Sequence, residues 1–457
     1  MQRFDAMIIG SGQSGSPLVF RMSKEGMKVA FIEKEHFGGT CVNNGCTPTK
    51  AYVASARRMW DAGHGEDLGV YIPQGASVDL KKVKQRKDRI VRESAEGIRD
   101  GAKDDENITV FKGEARFTGK KTVTVNGEEL TAEEIYINVG ARPVVPEVFQ
   151  DLDYLTNKTI LKLEKLPEHL IIVGGSYVGL EFGQMFRRFG SKVTIVEKGP
   201  RLIAREDEDV SDHIREILQE EKIGIRLNAD CTGGKQNKDG SVTLKVDCEE
   251  GDPEITGSHI LLAVGRRPNT DLLNPGATGI SINERGYIPV NEFLETNVKG
   301  IYALGDCNGR GAFTHTSYND YKIIAGNKFE GKSLKVSDRI MTYCLYIDPP
   351  LGRAGMSRQA ALESVDKVLE AKMPMSAVSR ANEKGETRGL IRILVDAETR
   401  KILGASVLGV GGDEVISSIL SIMYADVPFT TIQDAVIPHP TVSEYIPTLL
   451  GSLKKIN

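Results

Sequence analysis

The chain has little that would tie it to a membrane, to nucleic acid or to an oxidised extracellular scaffold. No apolar run approaches the roughly 18 residues that a membrane-spanning helix needs. Its 59 Lys and Arg stand against 63 Asp and Glu, a net charge of −4, so neither nucleic acid nor an acidic lipid surface is called for. The one basic run, from Lys81 to Lys87, continues into Ile90 and Val91 at helical spacing, which predicts a solvated helix face. Six cysteines in 457 residues are too few for a disulfide framework. Ala6-Met7-Ile8-Ile9 predicts a strand that begins at once and leaves no room for a signal peptide. The expectation is a cytoplasmic protein with no membrane or nucleic-acid partner. In a reducing compartment, a close pair of cysteines is more often catalytic than structural.

What is present is a repeated glycine turn. The length suits two to four domains, and a 40% hydrophobic content with 48 glycines describes an ordinary α/β chain. Met7-Ile8-Ile9-Gly10-Ser11-Gly12-Gln13-Ser14-Gly15 precedes a second apolar run ending in Glu33. Strand, glycine turn, helix, strand and terminal acid form a βαβ dinucleotide unit. Its glycines admit a pyrophosphate to a helix N-terminus, and its acid accepts ribose hydroxyls. The pattern recurs from Leu170 through Gly174, Tyr177 and Gly179 to Glu197. Gly10 to Glu33 and Gly174 to Glu197 span the same interval, so the chain is expected to hold two dinucleotides. In the second copy Ser176 replaces the middle glycine, a weaker but workable fit.

A second repeat supports the first. Ile137-Asn138-Val139-Gly140 echoes Leu262-Ala263-Val264-Gly265, each a buried strand ending in a glycine turn. Gly300 to Asp306 is a further apolar strand ending in Gly-Asp, and after about residue 337 the pattern becomes antiparallel, as in Gly389–Val395. The expected fold is therefore α/β, with two Rossmann-like (βαβ) dinucleotide-binding domains and a C-terminal α+β domain.

Between the first fingerprint and the second lies Gly38-Gly39-Thr40-Cys41-Val42-Asn43-Asn44-Gly45-Cys46-Thr47-Pro48-Thr49-Lys50. On an undistorted helix, residues five apart have Cα atoms about 8.6 Å from each other. A disulfide needs less than about 7 Å, so the pair closes only if the backbone bends, which Gly45 and Pro48 permit. Lys50 follows Cys46 by one turn, where its charge can stabilise a thiolate or a reduced flavin. Alone, the spacing equally describes a structural disulfide or two free thiols. Its neighbours decide.

Together these motifs resemble the class I pyridine nucleotide-disulfide oxidoreductases, the FAD-dependent family of glutathione reductase, dihydrolipoamide dehydrogenase and mercuric reductase. The resemblance runs essentially end to end. It implies an FAD-binding domain in two parts (1–147 and 267–337), an NAD(P)H-binding domain at 148–266 and a dimerisation domain at 338–457. Gly10, Gly12, Gly15 and Glu33 would hold FAD, with Thr40, Ala115, Gly140 and Asp306 along it. Gly174, Tyr177, Gly179, Glu197 and Gly265 would serve the nicotinamide nucleotide, with Tyr177 as the aromatic gate over the flavin. The resemblance makes Cys41–Cys46 the redox disulfide, with Cys46 on the flavin side and Cys41 as the interchange thiol. It pairs Lys50 with Glu181, and it makes His439 the acid–base residue oriented by Glu444. That pair would reach the disulfide of the other subunit of a homodimer.

Glu197 favours NADH, since a carboxylate repels a 2′-phosphate. NADPH stays open, because Lys198, Arg201 and Arg205 follow closely. The resemblance is nearest to mercuric-reductase-like flavoproteins, including a branch linked to reactive-chlorine resistance and copper reduction, through Phe313–Tyr321 and Ile347–Gly352. Mercuric reductases carry a vicinal cysteine pair near the C-terminus; the tail from Leu449 to Asn457 has none. The expected activity is electron transfer from NAD(P)H through FAD and the thiols to a soft metal ion or small electrophile. The alternatives are a dihydrolipoamide dehydrogenase or low-molecular-weight disulfide reductase and, from another class, a non-catalytic redox sensor. No resident metal is expected. Cys307 and Cys344 read as core, Cys231 and Cys248 need not pair, and His315 reads as a hydrogen-bonding residue.

Overall fold

Strands that are apolar along their whole length need cover on both faces, and that requirement organises the molecule. A computed structural model describes residues 1–72, 76–248 and 251–456; Asn457, the last residue of the cysteine-free tail, lies outside them. The strand Gln2–Ile9 lies between two parallel neighbours, with Ile8 opposite Phe31 on Val29–Glu33 and opposite Tyr136 on Glu128–Ile137. The helix Gly15–Lys24 makes the crossover between the first two strands. The short strand Ile301–Ala303 adds in parallel to Glu128–Ile137 and carries Gly305 and Asp306 to the mouth of the same sheet. Ala115–Gly119 and Thr122–Val125 extend the far edge as antiparallel strands.

A second sheet repeats the plan. His169–Val173 pairs in parallel with Lys192–Val196 and with His259–Leu262, and Tyr177–Phe189 is its crossover helix. A three-stranded antiparallel sheet from Ala229 to Gly257 stands beside it. The two nucleotide units are joined by a small ribbon in which Ala141–Pro143 pairs with Arg266–Pro268, just after the two glycine turns.

From Thr342 onward the chain forms a six-stranded antiparallel sheet. Every residue of its strands Leu351–Gly355 and Leu390–Asp396 is buried. The helix Gly412–Ala425 lies on it so closely that a Cβ at Gly352 would sit 2.2 Å from the carbonyl oxygen of Gly412. The basic run 81–87 lies on the helix Leu80–Lys103, as its spacing predicts.

One packing contact matters most for the site. The helix Cys46–Gly63 shares a core with Tyr177–Phe189, where the Tyr52 and Phe189 rings meet at 6.1 Å. The thiol-bearing helix is thereby fixed against the crossover helix of the second nucleotide unit.

Candidate active site

The first glycine turn is shaped by a side chain 123 residues away. Gly10 has φ +103°, and a Cβ there would lie 2.3 Å from the Asn138 carbonyl oxygen. At Gly12 a Cβ would lie 2.6 Å from Asn138 Oδ1, and at Gly15 it would lie 2.2 Å from the carbonyl oxygen of Gly10. Asn138 is buried, accepts from the Gly15 N–H at 3.0 Å, and donates to the Leu304 carbonyl at 2.8 Å. It therefore ties the fingerprint to the segment bearing Asp306. Glu33 accepts from the Ser11 N–H at 3.0 Å and from the Ser11 hydroxyl at 2.6 Å, so the acid also holds the turn.

In the second unit Glu197 plays the same part, accepting from the N–H groups of Gly175 at 2.6 Å and Gly199 at 2.7 Å. Gly140 (φ +64°) and Gly265 (φ +117°) have nothing within 4 Å of where a Cβ would stand, and both border the cavity. These turns, the helix N-terminus and the terminal acids fit a dinucleotide at each unit.

The chain bends where the thiol spacing requires it. A short helix, Gly39–Asn44, ends at Gly45 (φ −129°, ψ −118°), and Cys46–Gly63 starts afresh. Pro48 stays within the first turn of the new helix, so Gly45 alone makes the break. Cys41 and Cys46 are free thiols here, close enough to share a proton. That hydrogen bond draws the Cys46 thiol down to about 6 and pushes Cys41 up. Thr314 and Lys50 also favour the Cys46 thiolate, against burial and Glu181. Cys46 Sγ lies 3.1 Å from Thr314 Oγ1. The shared hydrogen bond thus favours the proton on Cys41 and the thiolate at Cys46.

Lys50 Nζ donates to both oxygens of Glu181, at 3.0 and 2.8 Å, and sits 4.5 Å from the centre of the Tyr346 ring. The Tyr346 N–H bonds Glu181 Oε1 at 3.0 Å, which fixes the acceptor. Burial raises the Asp306 carboxyl, with Arg266 Nε 3.9 Å away countering it.

A single cavity of about 1850 Å³ connects these groups, well above the usual size of a small-molecule pocket. Gly10, Gly12, Glu33, Thr40, Cys41, Cys46, Lys50, Gly174, Tyr177 and Glu197 line it. Ala115, Gly140, Glu181, Gly265 and Asp306 line it too. Gly15 and Gly179 do not; each packs behind its turn, where a Cβ would strike Gly10 or Gly174 at 2.2 or 2.0 Å. His439 and Glu444 stand apart from the cavity. His439 Nδ1 bonds Glu444 Oε2 at 2.9 Å, and its side chain is 75% exposed.

Several working residues were not singled out from the sequence. Thr314 and Asn138 both lie in segments already marked by resemblance or repeat, but only the fold puts Thr314 on Cys46 and Asn138 behind Gly12. The reading of Cys344 as core needs correction. It packs partly against the C-terminal core yet also lines the cavity, because its strand runs along the cavity's edge. Cys307 is fully buried, its thiol 3.3 Å from the Leu304 carbonyl. Cys231 and Cys248 do not face each other across their hairpin; Cys231 opposes Val246. His315 Nε2 donates to the Thr342 carbonyl at 2.7 Å. Among the described residues no cluster of three His, Cys, Asp or Glu could hold a metal ion, and no helix is long and apolar enough to cross a membrane.

Two nucleotide units, a thiol pair and a further sheet define a class of electron-transfer flavoprotein, and comparison with known proteins agrees. Residues 4–320 match the pyridine nucleotide-disulphide oxidoreductase family, and residues 341–450 match the dimerisation domain of that family. The chain belongs to the class I pyridine nucleotide-disulfide oxidoreductases, FAD-dependent NAD(P)H enzymes acting on a sulfur group or a metal ion. Among its relatives is the probable pyridine nucleotide-disulfide oxidoreductase RclA of Escherichia coli, 34% identical over 99% of this chain and 100% of that one. A mercuric reductase of Staphylococcus aureus is 30% identical over 96% of this chain and 81% of its own length. A dihydrolipoyl dehydrogenase of Thermus scotoductus is 31% identical over 100% and 98%. The solved Cu(II) complex of the HOCl-induced flavoprotein disulfide reductase RclA superposes with a TM-score of 0.89 at 33% identity, covering 99% of each chain.

Proposed function

We propose that this chain passes electrons from NADH, by way of FAD, to the Cys41–Cys46 pair and on to a soft metal ion or small electrophilic acceptor. The observation that carries this reading is the thiol pair itself. It opens to the cavity shared by both nucleotide units, with Thr314 Oγ1 3.1 Å from Cys46 Sγ and Lys50, on the same helix as Cys46, held by Glu181. When bound, the two nucleotides supply hydride and electron transfer.

The residues bind, orient and move protons. Gly10, Gly12, Gly15, Glu33, Thr40, Ala115, Gly140 and Asp306 hold FAD in the domain made of 1–147 and 267–337. Gly174, Gly179, Glu197 and Gly265 would hold the nicotinamide nucleotide in 148–266, and Tyr177 would serve as the aromatic gate between the two nucleotide sites. Lys50, fixed by Glu181, keeps positive charge beside the thiolate. Cys41, the more protonated thiol, attacks a disulfide acceptor once deprotonated, or joins Cys46 as a ligand for a soft cation. His439, oriented by Glu444, takes and returns that proton. Its distance from the cavity of its own chain supports a homodimer, built through 338–457, in which it serves the thiols of a second copy.

Glu197 supports NADH over NADPH. Of the cations that could offset it, Lys198 is taken up by Asp230 at 2.6 Å, while Arg205 lines the cavity. The Cu(II) complex of a relative favours copper among metal acceptors. The test is anaerobic NADH consumption by the FAD-loaded protein with Cu(II), Hg(II), a quinone, oxidised glutathione and lipoamide offered separately, beside Cys41→Ser. Turnover with a metal that is lost in Cys41→Ser supports the proposal. Turnover with lipoamide or glutathione alone moves the chain to the disulfide-reductase reading, and no turnover with any acceptor favours a sensor.

A further inference from the structure

Three aromatic rings that line the cavity pack on one another. Tyr177 makes edge contacts with Phe313 and Tyr343, at centroid distances of 5.7 and 5.3 Å, and Phe313 stacks on Tyr343 at 5.5 Å. Yet the two tyrosines are held differently. The Tyr177 hydroxyl is buried without a hydrogen-bond partner, whereas the Tyr343 hydroxyl donates to Glu206. The polar neighbour of the Tyr177 hydroxyl is the Tyr343 hydroxyl itself, so the Tyr177 ring is positioned by Tyr343 and Phe313.

Tyr343 is anchored unusually firmly. The Glu206 side chain is fully buried and faces Arg353 Nη1 at 3.5 Å; the Arg353 side chain, 1% exposed, also reaches Asp207 at 3.1 Å. Arg392 joins the same group through Asp207, at 3.1 Å. A hydrogen bond to a carboxylate inside such a group is stronger than one made in water. Two Arg353 nitrogens, Nε and Nη2, remain buried without partners, so the guanidinium is held for its charge despite an incomplete set of bonds.

The anchor also has an input. Glu206 directly follows Arg205, which lines the same cavity as Glu197 and Lys198. A shift of Arg205 toward a bound phosphate would pass along the backbone to Glu206, the acceptor of the Tyr343 hydroxyl.

We propose that Tyr343, Glu206 and Arg353 form a latch that sets the resting position of the Tyr177 ring and couples its displacement to nucleotide engagement at Arg205. All three are positioning residues, and the proposal rests on the reading of Tyr177 as the ring that yields to nicotinamide. A purely structural role, clamping the nucleotide unit to the C-terminal sheet, would change stability without changing ring mobility.

The test uses the FAD-loaded protein and two variants, Tyr343→Phe, which keeps the ring and removes the hydroxyl, and Tyr177→Ala. Iodide quenching of flavin fluorescence reports how open the gate stands. NAD⁺ titration gives the affinity of the nicotinamide site, and steady-state NADH kinetics separate KM from kcat. A loosened latch populates the open state, so Tyr343→Phe should raise the quenching constant and lower the Kd for NAD⁺ by about fivefold or more. It should lower the KM for NADH while leaving kcat within about twofold. Tyr177→Ala should raise quenching at least as much. If Tyr177→Ala responds and Tyr343→Phe does not, the latch is refuted and the gate stands. If neither responds, the gate reading falls and takes the latch with it. If only Tyr343→Phe responds, it does not act through Tyr177, which also overturns the proposal. Should Tyr343→Phe lose FAD, Glu206→Gln must show the same shifts at smaller size, or the latch is wrong.

Discussion

The two glycine turns were cut to one plan and differ at one instructive position. Behind the first stands Asn138; at the matching place behind the second stands Ala263. A side chain at Gly12 would meet Asn138 Oδ1 at 2.6 Å, so only glycine fits there. Ser176 has no such neighbour behind it and lies exposed at the start of its helix. The serine is therefore compatible with the alanine and no sign of a failing site. The outer glycines follow the opposite rule. Gly10 and Gly174 face a carbonyl oxygen at 2.3 and 2.5 Å, of Asn138 and Ala263 respectively, so backbone packing demands glycine whatever the side chain. The difference teaches that the middle position of such a fingerprint answers to the residue opposite it, and that an isolated departure from the motif should be read with its partner.

The sharpest way to break this comparison is to move the serine. Gly12→Ser forces a side chain onto Asn138, an overpacking cost of about 1–3 kcal/mol, and FAD retained per chain, read from flavin absorbance, should fall about tenfold or more. Adding Asn138→Ala should recover part of that loss; a double variant no better than the single one would refute the pairing. Next in size is the thiol environment. Removing the charge in Lys50→Met should raise the Cys46 midpoint above about 6. Because the Cys46 thiol is lowered, its thiolate persists above about 6 and is lost as pH falls through that value. Iodoacetamide labelling of the reduced protein against pH measures both midpoints, and an unchanged midpoint in Lys50→Met would remove the lysine from the account. Glu197→Ala should narrow the preference for NADH over NADPH, by about tenfold in the ratio of kcat/KM, through loss of one carboxylate at the ribose. Smallest of all, Ser176→Gly should leave the KM for NADH within about twofold, since nothing presses on that position.

Much of the fold was legible because its signals are local. Apolar strands, glycine turns and terminal acids sit within short windows, and their repetition within one chain excluded coincidence. The break between Cys41 and Cys46 was legible too, since Gly45 lies where the geometry needs a bend. What stayed hidden depends on contacts between distant segments. Asn138 stands behind Gly12 only because two strands pair, and Thr314 meets Cys46 across most of the chain. Cys344 read as core because its strand is apolar; which side of that strand borders the cavity is decided by packing of the C-terminal sheet. The Tyr343–Glu206–Arg353 group joins the second nucleotide unit to that sheet, and no sequence window contains it.

The central claim is that Cys41 and Cys46 lie on the electron path. The most direct measurement is an anaerobic NADH titration of the FAD-loaded protein, oxidised beforehand, with accessible thiols counted by Ellman's reagent after denaturation. The account predicts two new thiols per chain in the wild type with the first equivalent of NADH, the flavin bleaching only with the second, and no new thiols in Cys46→Ser, whose flavin bleaches with the first. NADH consumption that bleaches the flavin yet yields no new thiols in the wild type would contradict it, and would place the acceptor at the flavin with the cysteines as bystanders.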